Sequence, residues 1–223
     1  DGVTAGLATV GVRWPAHPVA QELIRLAGVP IAAPSANRFT ELSPSRAEHV
    51  RVSLGDRVDM ILDGGPCEVG IESTIVDVSG EVPAILRPGR ITALQIEKVL
   101  GMSLEVPSGE SPAAPGTLPA HYAPRATVRL LSSEALQQAL TGPLPAGLAV
   151  YSRTSFAGTR GSPALLRAMP AQARAAARQL FAVLRELDAA GATEIWIEAP
   201  PAEAAWDGVR DRLSRAAAAF APR

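Results

Sequence analysis

A small set of hydroxyl, amide and guanidinium side chains falls at the ends of apolar runs in this sequence. Ser35 and Asn37 close V-P-I-A-A-P-S-A-N, and Ser43 opens S-P-S-R-A-E-H-V. Ser73 lies in E-S-T-I-V-D and Arg87 in I-L-R-P-G. Thr9 and Arg13 lie four apart in T-V-G-V-R, so a period of two would place them on one face of a strand. Groups of this kind hold anions rather than attack bonds. An arginine grips carboxylate or phosphate through two parallel hydrogen bonds, and the free N–H groups at a helix start favour phosphate. The chemistry they suit is positioning an acidic substrate against a nucleotide. Each also has a plain structural use. Ser43-Pro44 reads as an N-cap with proline at the first helical position. Ser35 and Asn37 fit a turn pair, Ser73 an ordinary strand position, and the arginines surface ion pairs. Asp63 and Glu72 make only a weak magnesium pair.

Other chemistries find no support. The sequence contains no G-x-x-x-x-G-K-[ST], no G-x-G-x-x-G after a strand and no G-x-S-x-G elbow. His17, His49 and His121 are far apart, and no Cys/His pair has the spacing of a zinc site. Cys67 is the one cysteine, which rules out an internal disulfide and reads as a small core residue. No apolar stretch approaches the roughly 20 residues of a membrane span. A formal net charge of -1 gives no global reason to expect a nucleic-acid or membrane surface. A cytoplasmic protein is the expectation.

Positioning these groups requires strand ends and helix starts. Leu7 to Val12, Val29 to Ala33, Val58 to Leu62, Ser73 to Val78 and Ala84 to Leu86 read as strands, with Gly and Pro between them. A helix begins at Pro18 and stops at Gly28, a second begins at Ser43 and stops at Gly55, and Thr92 with Gln95 makes a capping box for a third ending near Gly101. Residues 103–125 are proline-rich and without period, as in a linker. Thr127 to Leu131, Leu148 to Tyr151 and Glu194 to Glu198 then alternate with helical patterns, notably Ala171 to Ala190 and Ala204 to Phe220, which predicts a small parallel sheet covered by helices.

The ordered runs R-W-P-A-H-P, A-P-S-A-N, S-P-S-R-A-E-H-V, I-L-D-G-G-P-C-E-V-G-I-E-S-T-I-V-D and I-L-R-P-G resemble the YrdC-like threonylcarbamoyl-AMP synthases. A-P-G-T-L-P-A-H-Y-A-P resembles the linker of the two-domain Sua-type members, and W-D-G-V-R-D-R-L-S-R-A-A the end of their second domain. The likeness runs along essentially the whole chain. It implies an α/β protein: a truncated YrdC-like domain with a twisted mixed sheet at 1–102, a linker or lid at 103–125, and a small Rossmann-like parallel domain at 126–223.

The resemblance further implies synthesis of threonylcarbamoyl-AMP and pyrophosphate from L-threonine, bicarbonate and ATP, with magnesium on the ATP phosphates. The product would serve a separate transferase that modifies an adenosine of tRNA. By similarity, Arg13 would pair with the threonine carboxylate, with Ser73 and the backbone around Ala33 also at that substrate. Thr9, Ser35, Ser43 and Arg87 would contact ATP, with Asn37 in support, and Tyr122 would fold over the nucleotide. No residue is implied as a covalent catalyst. Phe39-Thr40 stands where many members have Ser-Gly, a loop change only. Members carry a further stretch ahead of this one with a Lys-x-Arg element, so this fragment alone is expected to be inactive. Two other readings are a YrdC-like module that binds structured RNA without making the adenylate, and an inactive remnant.

Overall fold

A computed structural model describes residues 3–4, 6–107, 111–154 and 165–221. The chain is α/β, as the alternation of strand and helix patterns predicts. In its first part, helix α1 (Pro18–Ala27) starts at His17, whose ring accepts from the Val19 N–H, and stops at a left-handed Gly28. Helix α2 (Ala47–Leu54) ends at Gly55. Strands β1 (Ile75–Asp77) and β2 (Ala84–Arg87) form an antiparallel pair. Helix α3 (Ala93–Leu100) carries the expected capping box between Thr92 and Gln95 and ends at Gly101.

Two expectations are corrected here. The runs at 7–12, 29–33 and 58–62 are not strands. Each is apolar enough, but a strand exists only through a hydrogen-bonded neighbour, and among the described residues none lies beside them. Several of their large side chains, Val10, Val12, Val29 and Met60 among them, are exposed. The second correction is the start of α2. Its cap position is Arg46, without a side-chain cap, and Ser43 lies outside the helix. Tertiary bonds hold the S-P-S segment away from helical geometry. The Ser43 hydroxyl donates to Glu72, the Ser45 N–H donates to His49, and the Ser45 carbonyl accepts from Cys67.

The second part is a four-stranded parallel sheet in the order β3-β6-β4-β5. Its strands are β3 (Thr127–Leu131), β4 (Leu148–Ser152), β5 (Leu165–Ala168) and β6 (Glu194–Glu198). The sequence pattern anticipates three of them. The short edge strand β5 is additional. Alternation sorts the side chains between the two faces. Leu148, Val150 and Trp196 point to helix α4 (Ser133–Ala139) with Leu136. Val128, Ala149, Tyr151, Ile195 and Ile197 face helices α5 (Ala173–Ala189) and α6 (Asp207–Ala218). Helix α5 answers with a stripe from Ala176 through Leu180, Phe181 and Leu184 to Leu187.

The same core crosses into the first part. Leu42, Ile71 and Tyr122 belong to the cluster built on α5 and α6. At Gly208 of α6 a Cβ would lie 2.7 Å from the Ile71 side chain and 3.0 Å from the Gly89 carbonyl, so only glycine lets the helix come this close. The proline-rich segment is pinned on both sides. Glu41 bridges to Ala123, the Ala123 N–H donates to Thr40, and His121 N–H donates to Arg215 on α6. Among the described residues no helix is long and apolar enough to cross a membrane.

Candidate active site

The entry to β1 and the exit of β2 lie side by side, and the antiparallel pairing there is irregular. Ile75 faces Arg87 but Val76 faces Ile85, which leaves Leu86 as an extra residue. A bulge of this kind re-aims the side chains around it, here at the end of the pair that carries Ser73 and Arg87. Arg87 is 3% exposed. Its Nε and Nη2 donate to the Ser73 carbonyl at 3.1 and 2.8 Å, and its Nη1 donates to the Pro115 carbonyl at 2.8 Å. Burial lowers the Arg87 pKa first, and repulsion from Arg212 second. Arg13 is among the further charges that act in the same direction. Tyr122 and Glu72 oppose these effects, so the lowered value reflects burial above all.

Glu72 joins three parts of the molecule. One carboxylate oxygen accepts from the Ser43 hydroxyl and the other from Arg212 Nε at 2.7 Å. Burial by itself would raise this carboxyl. The Arg212 charge and the hydrogen bonds from Ser43 and Arg212 outweigh it and hold Glu72 below the usual carboxylate range. With both oxygens engaged, Glu72 does not suit the magnesium pairing with Asp63, whose carboxylate accepts from the Gly65 N–H. Among the described residues no three His, Cys, Asp or Glu side chains gather as a metal set.

The nine residues anticipated from the sequence separate into groups. Ser43, Ser73 and Arg87 are brought together through Glu72 and the β1–β2 end. Arg13 is exposed, and its charge is felt at Arg87. Asn37 is half-buried. Its amide nitrogen donates to the Arg38 and Glu41 carbonyls, both at 3.0 Å, while its Oδ1 is buried with no partner among the described residues. Thr9, Ala33 and Ser35 lie on the exposed or half-exposed segments before it. The backbone around them is unusual, since Ala36 and Thr40 have φ of 56° and 66°. Left-handed non-glycine residues persist only where their surroundings enforce them.

Tyr122 is the third such residue, with φ of 62°, and it is 2% exposed. Its ring packs 5.4 Å from Phe181 and lies under the Arg212 guanidinium at 5.3 Å. In this conformation it is part of the core, and acting over a nucleotide would require it to leave those contacts. Two clefts open along the same seam. The one of about 420 Å³ is lined by Ile71, Gly89, Arg90, Ala177 and Gly208, and none of the nine residues lines either cleft.

Arg212 has no role in the sequence-based expectations, although it lies in the recognised run W-D-G-V-R-D-R-L. The only local sign is an arginine on the apolar stripe of a helix, beside Val209, Leu213 and Ala216. Its partner Glu72 is 140 positions away.

Comparison with known proteins bears on the family and the fold. Residues 1–89 match the family described as "Telomere recombination", which groups Sua5, YciO and YrdC. Residues 91–218 match "Threonylcarbamoyl-AMP synthase, C-terminal domain". The threonylcarbamoyl-AMP synthase of Bacillus subtilis is 48% identical over 133 residues, covering 57% of this chain and 38% of that protein. That of Schizosaccharomyces pombe is 34% identical over 96% of this chain and 59% of its own length. The chain therefore spans from about two fifths to three fifths of these relatives. The crystal structure of Pyrococcus abyssi Sua5 with L-threonine superimposes with a TM-score of 0.83 at 32% identity, covering 97% of this chain and 66% of that one. The chain belongs to the threonylcarbamoyl-AMP synthase family.

Proposed function

We propose that the protein makes L-threonylcarbamoyl-AMP from L-threonine, bicarbonate and ATP. The observation that carries the reading is the junction of Ser43, Ser73 and Arg87 through Glu72, in a chain whose fold matches a Sua5 structure holding L-threonine. In the reaction, the threonine amine adds to carbon dioxide supplied by bicarbonate and loses a proton. An oxygen of the resulting carbamate attacks the α-phosphorus of ATP, the bond to the β-phosphate breaks, and pyrophosphate leaves. No protein group becomes covalent. The requirement is to align two anions and offset their charge, which arginines, hydroxyls and backbone N–H groups do.

In this reading Arg13, Ser73 and the Ala33 backbone take the threonine side. Thr9, Ser35, Ser43, Arg87 and Tyr122 take the nucleotide side, with the orphaned Oδ1 of Asn37 available to a ligand donor. Magnesium would neutralise the phosphates. The setting is cytoplasmic, and a tRNA threonylcarbamoyl transferase would consume the product. The RNA-binding alternative is not favoured by the relatives. The test is pyrophosphate release by the full-length protein with and without L-threonine and bicarbonate. Release requiring both is expected, and release indifferent to threonine would sink the proposal.

A further inference from the structure

Arg212 is 1% exposed and belongs to α6, in the part of the chain that carries none of the candidate substrate contacts. Its fork nevertheless reaches the residues that lead into β1 and out of β2. Nε donates to Glu72 Oε2 at 2.7 Å and Nη2 to the Glu72 carbonyl at 3.1 Å. Nη1 donates to the Pro88 carbonyl at 2.8 Å and to Asp211 Oδ2 at 2.8 Å. The residues it grips are the immediate neighbours of Ser73 and Arg87. Arg87 itself grips the Ser73 carbonyl, so two guanidinium groups tie the start of β1 to the end of β2 at consecutive backbone positions. These bonds fall at the irregular end of the pair, where the Leu86 bulge interrupts the regular ladder.

We infer that Arg212 is a positioning residue for the proposed reaction, setting Ser73, Arg87 and, through Glu72, Ser43 in register from the second part of the chain. The inference rests on the synthase reading for its kinetic consequence, but its geometric content stands apart from it. An ion pair that merely joined two parts would need only the Glu72 carboxylate. Arg212 also spends donors on two backbone carbonyls, and those fix where Ser73 and Arg87 lie. Lysine can keep the charge but has no planar fork to reach four acceptors at once.

The experiment compares Arg212→Lys, Arg212→Met and the double variant Arg212→Met with Glu72→Gln in the full-length protein. The single Met variant strands a buried carboxylate and loses stability, whereas the double variant removes both charges and recovers it. Three readouts are taken: melting temperature, the threonine KM and kcat of pyrophosphate release, and amide exchange along the β1–β2 and β3–β6 ladders. In the double variant and in Arg212→Lys, the melting temperature returns towards the unmodified value while threonine KM stays raised at least tenfold. Exchange across β1–β2 speeds at least tenfold and β3–β6 stays protected. Recovery of KM together with stability would overturn the inference and leave Arg212 as an ordinary structural link. If the unmodified protein shows no threonine-dependent release, the synthase reading falls, and the exchange data alone decide the positioning: unchanged β1–β2 protection would refute it.

Discussion

Gly116 lies against the Tyr122 hydroxyl so closely that a Cβ on it would collide with that oxygen and come within 3.2 Å of Arg87 Nη1. Its φ of +76° is also in the left-handed region. The proline-rich segment is thus threaded between a buried tyrosine and a buried arginine. Gly116→Ala meets both strain and crowding and should lose about 1–3 kcal/mol of stability. Asparagine tolerates this φ but still carries a Cβ, so Gly116→Asn should not recover the loss. Combining Gly116→Ala with Tyr122→Phe removes the colliding atom and should restore part of it. Denaturant midpoints measure all three. A full rescue by asparagine would show that backbone strain alone governs the position.

The charged seam predicts a pH dependence with a definite sign. Glu72 is held below its unfolded reference of 4.5, despite burial, by Arg212 and Ser43. A depressed carboxyl contributes stability above its unfolded pKa and loses it as pH falls through the folded value. The melting temperature should therefore decline as pH drops below about 4.5. Glu72→Gln should already lack this contribution at neutral pH and decline less steeply on acidification. An unaltered acid slope in that variant would place the depressed carboxyl elsewhere.

Glu198 is a second junction, at the carboxyl ends of the parallel strands. It is 2% exposed and accepts from the Ser133 hydroxyl at 2.6 Å, the Arg153 N–H and Nη2 both at 2.7 Å, and the Thr154 N–H at 2.9 Å. Burial raises its pKa, and these donors together bring it below the usual range. Glu198→Ala would strand several donors, a loss of about 3–5 kcal/mol for a buried pair. The lower end is expected, since the Arg153 side chain is 24% exposed and recovers some water. Glu198→Gln keeps an acceptor and should cost about 1–3 kcal/mol. Urea unfolding resolves the two, and equal losses would mean that the charge, which both variants remove, matters rather than the acceptor or the volume that Gln retains.

What the sequence discloses follows the range of the interaction that decides each feature. The capping box at Thr92 and Gln95 and the stop at Gly28 are settled within one turn, and both are legible. Strands β4 and β6 are legible because each is a five-residue run buried on both faces of a covered sheet, and the edge strand β3 because four of its five residues are at least half-buried. Strand β5 is four residues long and alternates between half-buried and exposed positions, which is too little pattern to stand out. The opposite error arises at 29–33, where an apolar run has strand composition but no described neighbour. Ser43 shows the same dependence on distant partners. Its Ser-Pro signature suits a helix start, yet Glu72, 29 positions on, takes the hydroxyl. The Arg212 contacts lie beyond the reach of local pattern for that reason, while Ser73 and Arg87 stand out by residue type at the ends of apolar runs, and only the ordered motifs suggest roles for them.

Arg13 offers the sharpest separation of the two proposed substrates. It is exposed on the segment ahead of α1, and its positive charge is felt at Arg87, which is buried and already repelled by Arg212. Arg212 and Arg13 both act against the Arg87 charge and Glu72 opposes them, so a further anion beside Arg87 would act in the same sense as Glu72. Arg87 is committed to the Ser73 and Pro115 carbonyls and Arg212 to Glu72 and Pro88. Arg13, by contrast, makes no ion pair among the described residues, and the proposed function assigns its fork to the threonine carboxylate. A bidentate, charge-assisted contact contributes about 1.5–3 kcal/mol, equivalent to roughly 10- to 100-fold in affinity. Arg13→Ala should therefore raise the threonine KM by that factor and change the ATP KM by less than about threefold, a difference under 1 kcal/mol. Arg13→Lys should recover only part of the loss, because an ammonium cannot form the paired contact. Pyrophosphate release titrated separately in threonine and ATP gives both constants. Equal increases in the two would move Arg13 away from the carboxylate and onto the phosphates.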